Sequence, residues 1–138
     1  MLDDGRTVRA GHVVIATGSK VAAPPLAALG GIGYLTSDDC VDRAQIPKSL
    51  IVLGGGAIAV EFAQFFARLG TEVTVIQRSP HLLRDFDPDA AVEVEKAFRR
   101  EGLVVHTGTR LLDARRTSVG REIVFESTTE PGKSRLIA

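Results

Sequence analysis

The chain has 138 residues, 17 of them basic and 17 acidic, so its formal net charge is zero. That length suits one domain with a real core, and a balanced charge gives no bulk electrostatic pull toward nucleic acid or an anionic membrane. Cys40 is the only cysteine, so an internal disulfide is excluded and a reducing, cytoplasmic setting is the expectation.

No basic-then-apolar leader opens the chain, and a secretory signal is not expected. The run GHVVIATGS at 11–19 reads as a short strand over 12–16, stopped by Gly18. KVAAPPLAALGGIG at 20–33 is rich in Ala, Pro and Gly, with Pro24-Pro25 at its centre, and reads as a linker without a regular element. Ser37 is the expected N-cap of a short helix that ends before Pro47, with Asp38 and Asp39 in its first turn. SLIVL at 49–53 is a continuous apolar run, as expected of a strand buried on both faces. The most apolar stretch, 50–66, is interrupted by Glu61 and Gln64 and carries three consecutive glycines, which is too polar and too short to cross a bilayer.

Residues 57–70 show helical spacing with Gly70 as the stop, and EVTVI at 72–76 reads as a second strand. Asp87-Pro88 supplies an N-cap and a first-turn proline for a helix to about residue 101. Its Phe98-Arg99-Arg100 run reads as a solvated helix end. LVVH at 103–106 is a third strand, and the remainder reads as one or two antiparallel strands joined by a turn near 118–120. The order predicts an α/β fold: a Rossmann-like βαβαβ parallel sheet with helices on both faces and a small antiparallel β extension.

The segment Gly54-Gly55-Gly56-Ala57-Ile58-Ala59 fits G-x-G-x-x-(G/A) and stands directly after a strand and at the start of a helix, the context in which that pattern binds a dinucleotide. Gly54 allows the tight turn, Gly56 lets the backbone approach a pyrophosphate, and Ala59 keeps helix and strand close. The helix N-terminus attracts the phosphates. At the end of the second strand an acid normally holds the ribose hydroxyls and repels a 2′-phosphate. Here the chain has Gln77, then Arg78, with Arg84 six residues on. Guanidinium groups suit a phosphate, so the pattern favours NADP(H) over NAD(H).

Glu61 lies among apolar neighbours on the same helix. It suits the nicotinamide end of a cofactor, a pairing with another domain, or solvent. His12, His81 and His106 have no metal-ligand spacing, and Cys40, beside acids that raise a thiol pKa, reads as structural.

Together HVVIATGS at 12–19, the proline linker, PKSLIVLGGGAIAVEFA at 47–63 and LRDFDPD at 83–89 resemble the class I pyridine nucleotide-disulfide oxidoreductases, which include dihydrolipoamide dehydrogenase, glutathione reductase and mercuric reductase. The resemblance covers residues 7 to about 114, and the stretch 77–105 is most similar to mercuric reductases. It implies that Ala16, Thr17 and Gly18 belong to a second motif of an FAD domain. It implies that Gly54, Gly56 and Ala59 form the nucleotide fingerprint, and that Glu61 lies near the nicotinamide–flavin contact. Two arginines six residues apart mark the NADPH-using members. Ala57 departs from the family, replacing an aromatic residue that several members place there.

The family's flavin fingerprint, its redox cysteine pair and its dimerisation domain with a His-Glu pair match nothing here. The resemblance therefore implies residues 1–30 as a remnant of an FAD domain plus linker, and 31–138 as a C-terminally truncated NAD(P) domain of a homodimeric flavoenzyme. Such a chain alone is expected to be inactive. Its partners would be the FAD and dimerisation domains, with no nucleic acid and no membrane. The rival readings are a non-catalytic nucleotide-binding or assembly module and a segment of an NADH oxidase-like flavoenzyme.

Overall fold

A computed structural model describes all residues except 1, 2, 25, 43 and 129–131, and all of their side chains except those of 133, 135 and 137. Pro25 of the expected linker and Arg43 of the expected first helix fall outside the described residues. The elements in order are α1 (Ala28–Ile32), α2 (Ser37–Val41), β1 (Ser49–Leu53), α3 (Ala57–Arg68), β2 (Glu72–Ile76), α4 (Pro88–Arg100), β3 (Val104–His106), β4 (Thr109–Arg116), β5 (Arg121–Ser127) and β6 (Lys133–Ile137).

The βαβαβ unit forms as expected. β1, β2 and β3 make a parallel sheet in that order, with Ser49 opposite Glu72 and Thr74 opposite Val104. Successive strand side chains point to opposite faces, and β2 shows where each goes. Val73 and Val75 enter one core with Ala63 and Phe66 of α3, Phe98 of α4, Leu82 and Leu103. Ile76 enters a second core with Leu29, Ile32, Ala114, Ile123 and Phe125. Both long crossover helices therefore share one face. The other face carries α1 and the antiparallel β4–β5–β6 sheet. This follows from crossovers of one hand stepping in one direction across the sheet.

Several expectations need correction. The strand at 12–16 does not form: residues 13–20 are outside regular structure, and Val13, Val14 and Ile15 are 78%, 88% and 84% exposed. A strand needs a ladder partner and a layer to bury its apolar face, and among the described residues none pairs with it. The linker at 20–33 is not wholly irregular, because Ala28–Ile32 is helical. Its C-terminal carbonyls are claimed by two arginines: Arg116 Nη2 donates to the Ile32 carbonyl at 3.1 Å, and Arg121 Nε donates to those of Ile32 and Gly33 at 2.9 and 3.0 Å.

Thr36, not Ser37, caps α2. Its N–H donates to Asp39 Oδ2 at 2.7 Å, closing a capping box, and the helix stops at Val41, well before Pro47. β1 is only half-buried, because it is an edge strand; β2, the central one, is the buried strand. The antiparallel extension has three strands rather than one or two, with the β4–β5 turn closed by Thr117 N–H donating to the Gly120 carbonyl at 2.7 Å. Phe98 is 2% exposed and belongs to the core, whereas the two arginines that follow it are exposed.

Among the described residues no helix is long and apolar enough to cross a membrane.

Candidate functional site

The parallel pairing of β1 with β2 sets the C-terminal ends of both strands side by side, with Leu53 opposite Ile76. The Gly54–Gly56 turn and Gln77 thereby become neighbours, although they are more than 20 residues apart in sequence. Gly54 N–H donates to the Ile76 carbonyl at 2.9 Å. Its φ of +119° is a conformation that side chains rarely adopt, which accounts for the first glycine.

Gly56 is the N-cap of α3 and supplies no side-chain cap. The first-turn N–H groups of the 12-residue helix face outward with the positive end of its dipole. A Cβ on Gly56 would meet nothing within 4 Å, so the approach to those groups is open. This arrangement fits the pyrophosphate of a dinucleotide. Ala57 and Ile58 are exposed at the same end, and Ala59 is half-buried.

The tightest glycine is the middle one. An ideal Cβ on Gly55 would lie 2.7 Å from Leu82 Cδ2 and 3.1 and 3.2 Å from Gln77 Cγ and Cδ. Both neighbours are buried, at 0% and 7% exposure, so neither swings aside cheaply. The expected result for Gly55→Ala is a loss of about 1–3 kcal/mol in stability, measured by urea denaturation, together with weaker nucleotide binding. Unchanged stability would mean that loop 79–86 shifts freely.

Gln77 is pinned by its backbone. Its N–H donates to the His106 carbonyl at 2.8 Å, and its carbonyl accepts from Thr109 N–H at 3.1 Å and Thr109 Oγ1 at 3.0 Å. Its side-chain Oε1 accepts Arg78 N–H at 3.1 Å. The His106 ring packs on Phe125 at 5.0 Å between centroids, and burial lowers its pKa.

Arg78 is exposed. Arg84 is exposed as well, and its Nε lies 3.2 Å from Oδ1 of the adjacent Asp85. A surface pair of this kind is worth about 0–1 kcal/mol, so exchanging the carboxylate for another anion would cost little. Loop 79–86 is tied to the glycine turn, because Leu83 N–H donates to the Gly55 carbonyl at 2.6 Å.

The structure thus brings together Gly54, Gly55, Gly56, Gln77 with Arg78 next to it, and the loop that carries Arg84. It does not bring Glu61 to them. Glu61 is exposed and lines an open groove of about 420 Å³ between α2 and α3, with Cys40, Val41, Phe62 and Phe65. Ala16, Thr17 and Gly18 are exposed and outside regular structure. Among the described residues no group of three or more His, Cys, Asp or Glu side chains could hold a metal ion. Leu82, which anchors the loop in the core, and Glu95, which accepts its N–H, are invisible to motif reading: one is an ordinary leucine, the other one acid among several on a helix.

A family model described as pyridine nucleotide-disulphide oxidoreductase matches residues 2–137. The chain belongs to this family. Its members are FAD- and NAD(P)-dependent. A mercuric reductase of Streptomyces lividans is 44% identical over 121 residues, 86% of this chain and 25% of the relative. The chain spans about a quarter of the length of such relatives.

Two solved structures are similar. A flavoprotein disulfide reductase of Escherichia coli, HOCl-induced, superposes with a TM-score of 0.75 at 24% identity, over 88% of this chain and 27% of that one, a likeness of fold. An engineered water-forming NADPH oxidase, derived from the Lactobacillus brevis enzyme and bound to NADPH, superposes with a TM-score of 0.55 at 29% identity, over 56% and 18%.

Proposed function

We propose that this chain is the NADP(H)-binding domain of an FAD-dependent pyridine nucleotide-disulfide oxidoreductase. The observation that carries the reading is the end of β2. A buried amide, Gln77, packs on Gly55 where an acid would hold a ribose. Arg78 follows it, and Arg84 stands on a loop hydrogen-bonded to the same glycine.

The engineered oxidase supports the reading. Its substitutions turn a glycine to alanine and, eighteen positions later, an aspartate to alanine; arginine and serine replace the next two residues, and a second arginine comes six positions after the first. This chain has Ala59, Gln77, Arg78, Ser79 and Arg84 at the same intervals. That variant is an NADPH oxidase made from an NADH oxidase.

The Gly54–Gly56 turn and the α3 N-terminus would hold the pyrophosphate, and Arg78 and Arg84 would bind the 2′-phosphate. When bound in a complete flavoenzyme, the nucleotide would supply hydride for the flavin. The FAD and dimerisation domains of that enzyme are the partners of this one. By itself the chain binds nucleotide and turns nothing over.

Fluorescence titration of the chain with NADPH and NADH tests this. The expected result is NADPH bound at least tenfold more tightly, about the value of one charge-assisted hydrogen bond. Equal affinities sink the cofactor assignment, and binding of neither sinks the site.

A further inference from the structure

Loop 79–86 follows Arg78 and carries Arg84, so what fixes its path fixes where both guanidinium groups stand. One tie is the Leu83 N–H bond to Gly55. The other comes from the helix side. Leu82 N–H donates to Glu95 Oε1 at 3.0 Å, and the bond is buried. Glu95 is only 7% exposed, on the inner face of α4. His81 Nδ1 stands 3.5 Å from the same oxygen, and Arg99 Nη1 stands 3.5 Å from Oε2.

A buried carboxylate is costly unless paired and hydrogen-bonded, and here its partners are the loop and its own helix. Leu83, one residue on, has φ +49° without being glycine. Such a conformation persists only where the surroundings over-determine it. The Glu95 and Gly55 bonds to successive N–H groups do so.

We infer that Glu95 is a positioning residue for cofactor selectivity. By accepting Leu82 N–H it holds loop 79–86 on Gly55 and keeps Arg78 and Arg84 beside the ribose site. The inference rests on the NADP(H) reading above. What it needs of Glu95 is an acceptor oxygen; the negative charge is not required.

The test uses the 138-residue chain with Glu95→Gln, which keeps an acceptor, and Glu95→Met, which keeps the volume and removes it. NADPH and NADH affinities and hydrogen exchange at the Leu82 amide are measured. Glu95→Met is expected to lose Leu82 protection and to weaken NADPH about tenfold, with NADH weakened less. Glu95→Gln keeps the protection and most of the NADPH preference. A wild-type preference in Glu95→Met, or a loss in Glu95→Gln as large as in Glu95→Met, overturns the inference. If Glu95→Met does not fold, loss of preference or of Leu82 protection in Glu95→Gln overturns it alone, and their retention supports it. Equal wild-type affinities overturn the cofactor reading instead. Leu82 exchange then decides the role of Glu95 separately, with unchanged protection in Glu95→Met counting against it and lost protection for it.

Discussion

Phe98→Ala is expected to cost the fold about 3–5 kcal/mol, the usual range for deleting a buried phenyl ring. Phe98 is among the largest fully buried side chains, at 2% exposure, and its ring reaches from α4 into the core formed by Ala63, Phe66, Val73, Val75, Leu82 and Leu103. That core holds three parts of the candidate site in register: the helix after the glycine turn, the central strand that precedes Gln77, and Leu82, which anchors loop 79–86. A domain of this size is stable by about 5–15 kcal/mol in all, so the loss is a large share. Urea denaturation followed by circular dichroism measures it. Phe65→Ala is the control, since Phe65 on the neighbouring helix α3 is 54% exposed and should cost far less. A cost below about 1 kcal/mol for Phe98→Ala would mean that α4 is not packed as described.

Arg78→Met combined with Arg84→Met is expected to weaken NADPH roughly a hundredfold and leave NADH nearly unchanged. Each charge-assisted hydrogen bond contributes about 1.5–3 kcal/mol, and about 1.4 kcal/mol is a factor of ten. Stability should hardly change, because both side chains are exposed and the Arg84–Asp85 pair is a surface pair. Adding Gln77→Glu should reverse the preference toward NADH. The carboxylate is nearly isosteric with the amide and keeps the acceptor that Arg78 N–H uses. It places a negative charge next to Arg78, where it would repel a 2′-phosphate. Paired titrations with NADPH and NADH decide the matter. An NADPH affinity within about twofold of wild type in the double variant would mean that neither arginine meets the phosphate.

Much of the fold was legible because its signals are local. The apolar run at 49–53, the triple glycine, the helical spacing over 57–68 and the Asp87-Pro88 start each state their element without reference to the rest. The readings that failed depended on neighbours. Residues 12–16 have the composition of a strand, but a strand exists only in a ladder, and no partner is present among the described residues. Phe98 next to two arginines looked solvated because charge was read along the chain; on a helix, adjacent residues point in different directions, and the phenyl faces inward while the arginines face out. The short α1 was masked by its glycines, and it is held by Arg116 and Arg121 from a hairpin 80 and more residues away.

The available chemistry is written along the chain: a glycine turn opening a helix, an amide in place of an acid, and two arginines six residues apart. These are covalent facts with local consequences, and no packing alters them. That the middle glycine is the tight one, that Gln77 is buried against it, and that Glu95 holds the arginine loop through Leu82 N–H come from packing. Those depend on distances between segments brought together by the parallel pairing of β1 with β2 and by α4 closing over the sheet, and no residue pattern along one segment encodes such a distance.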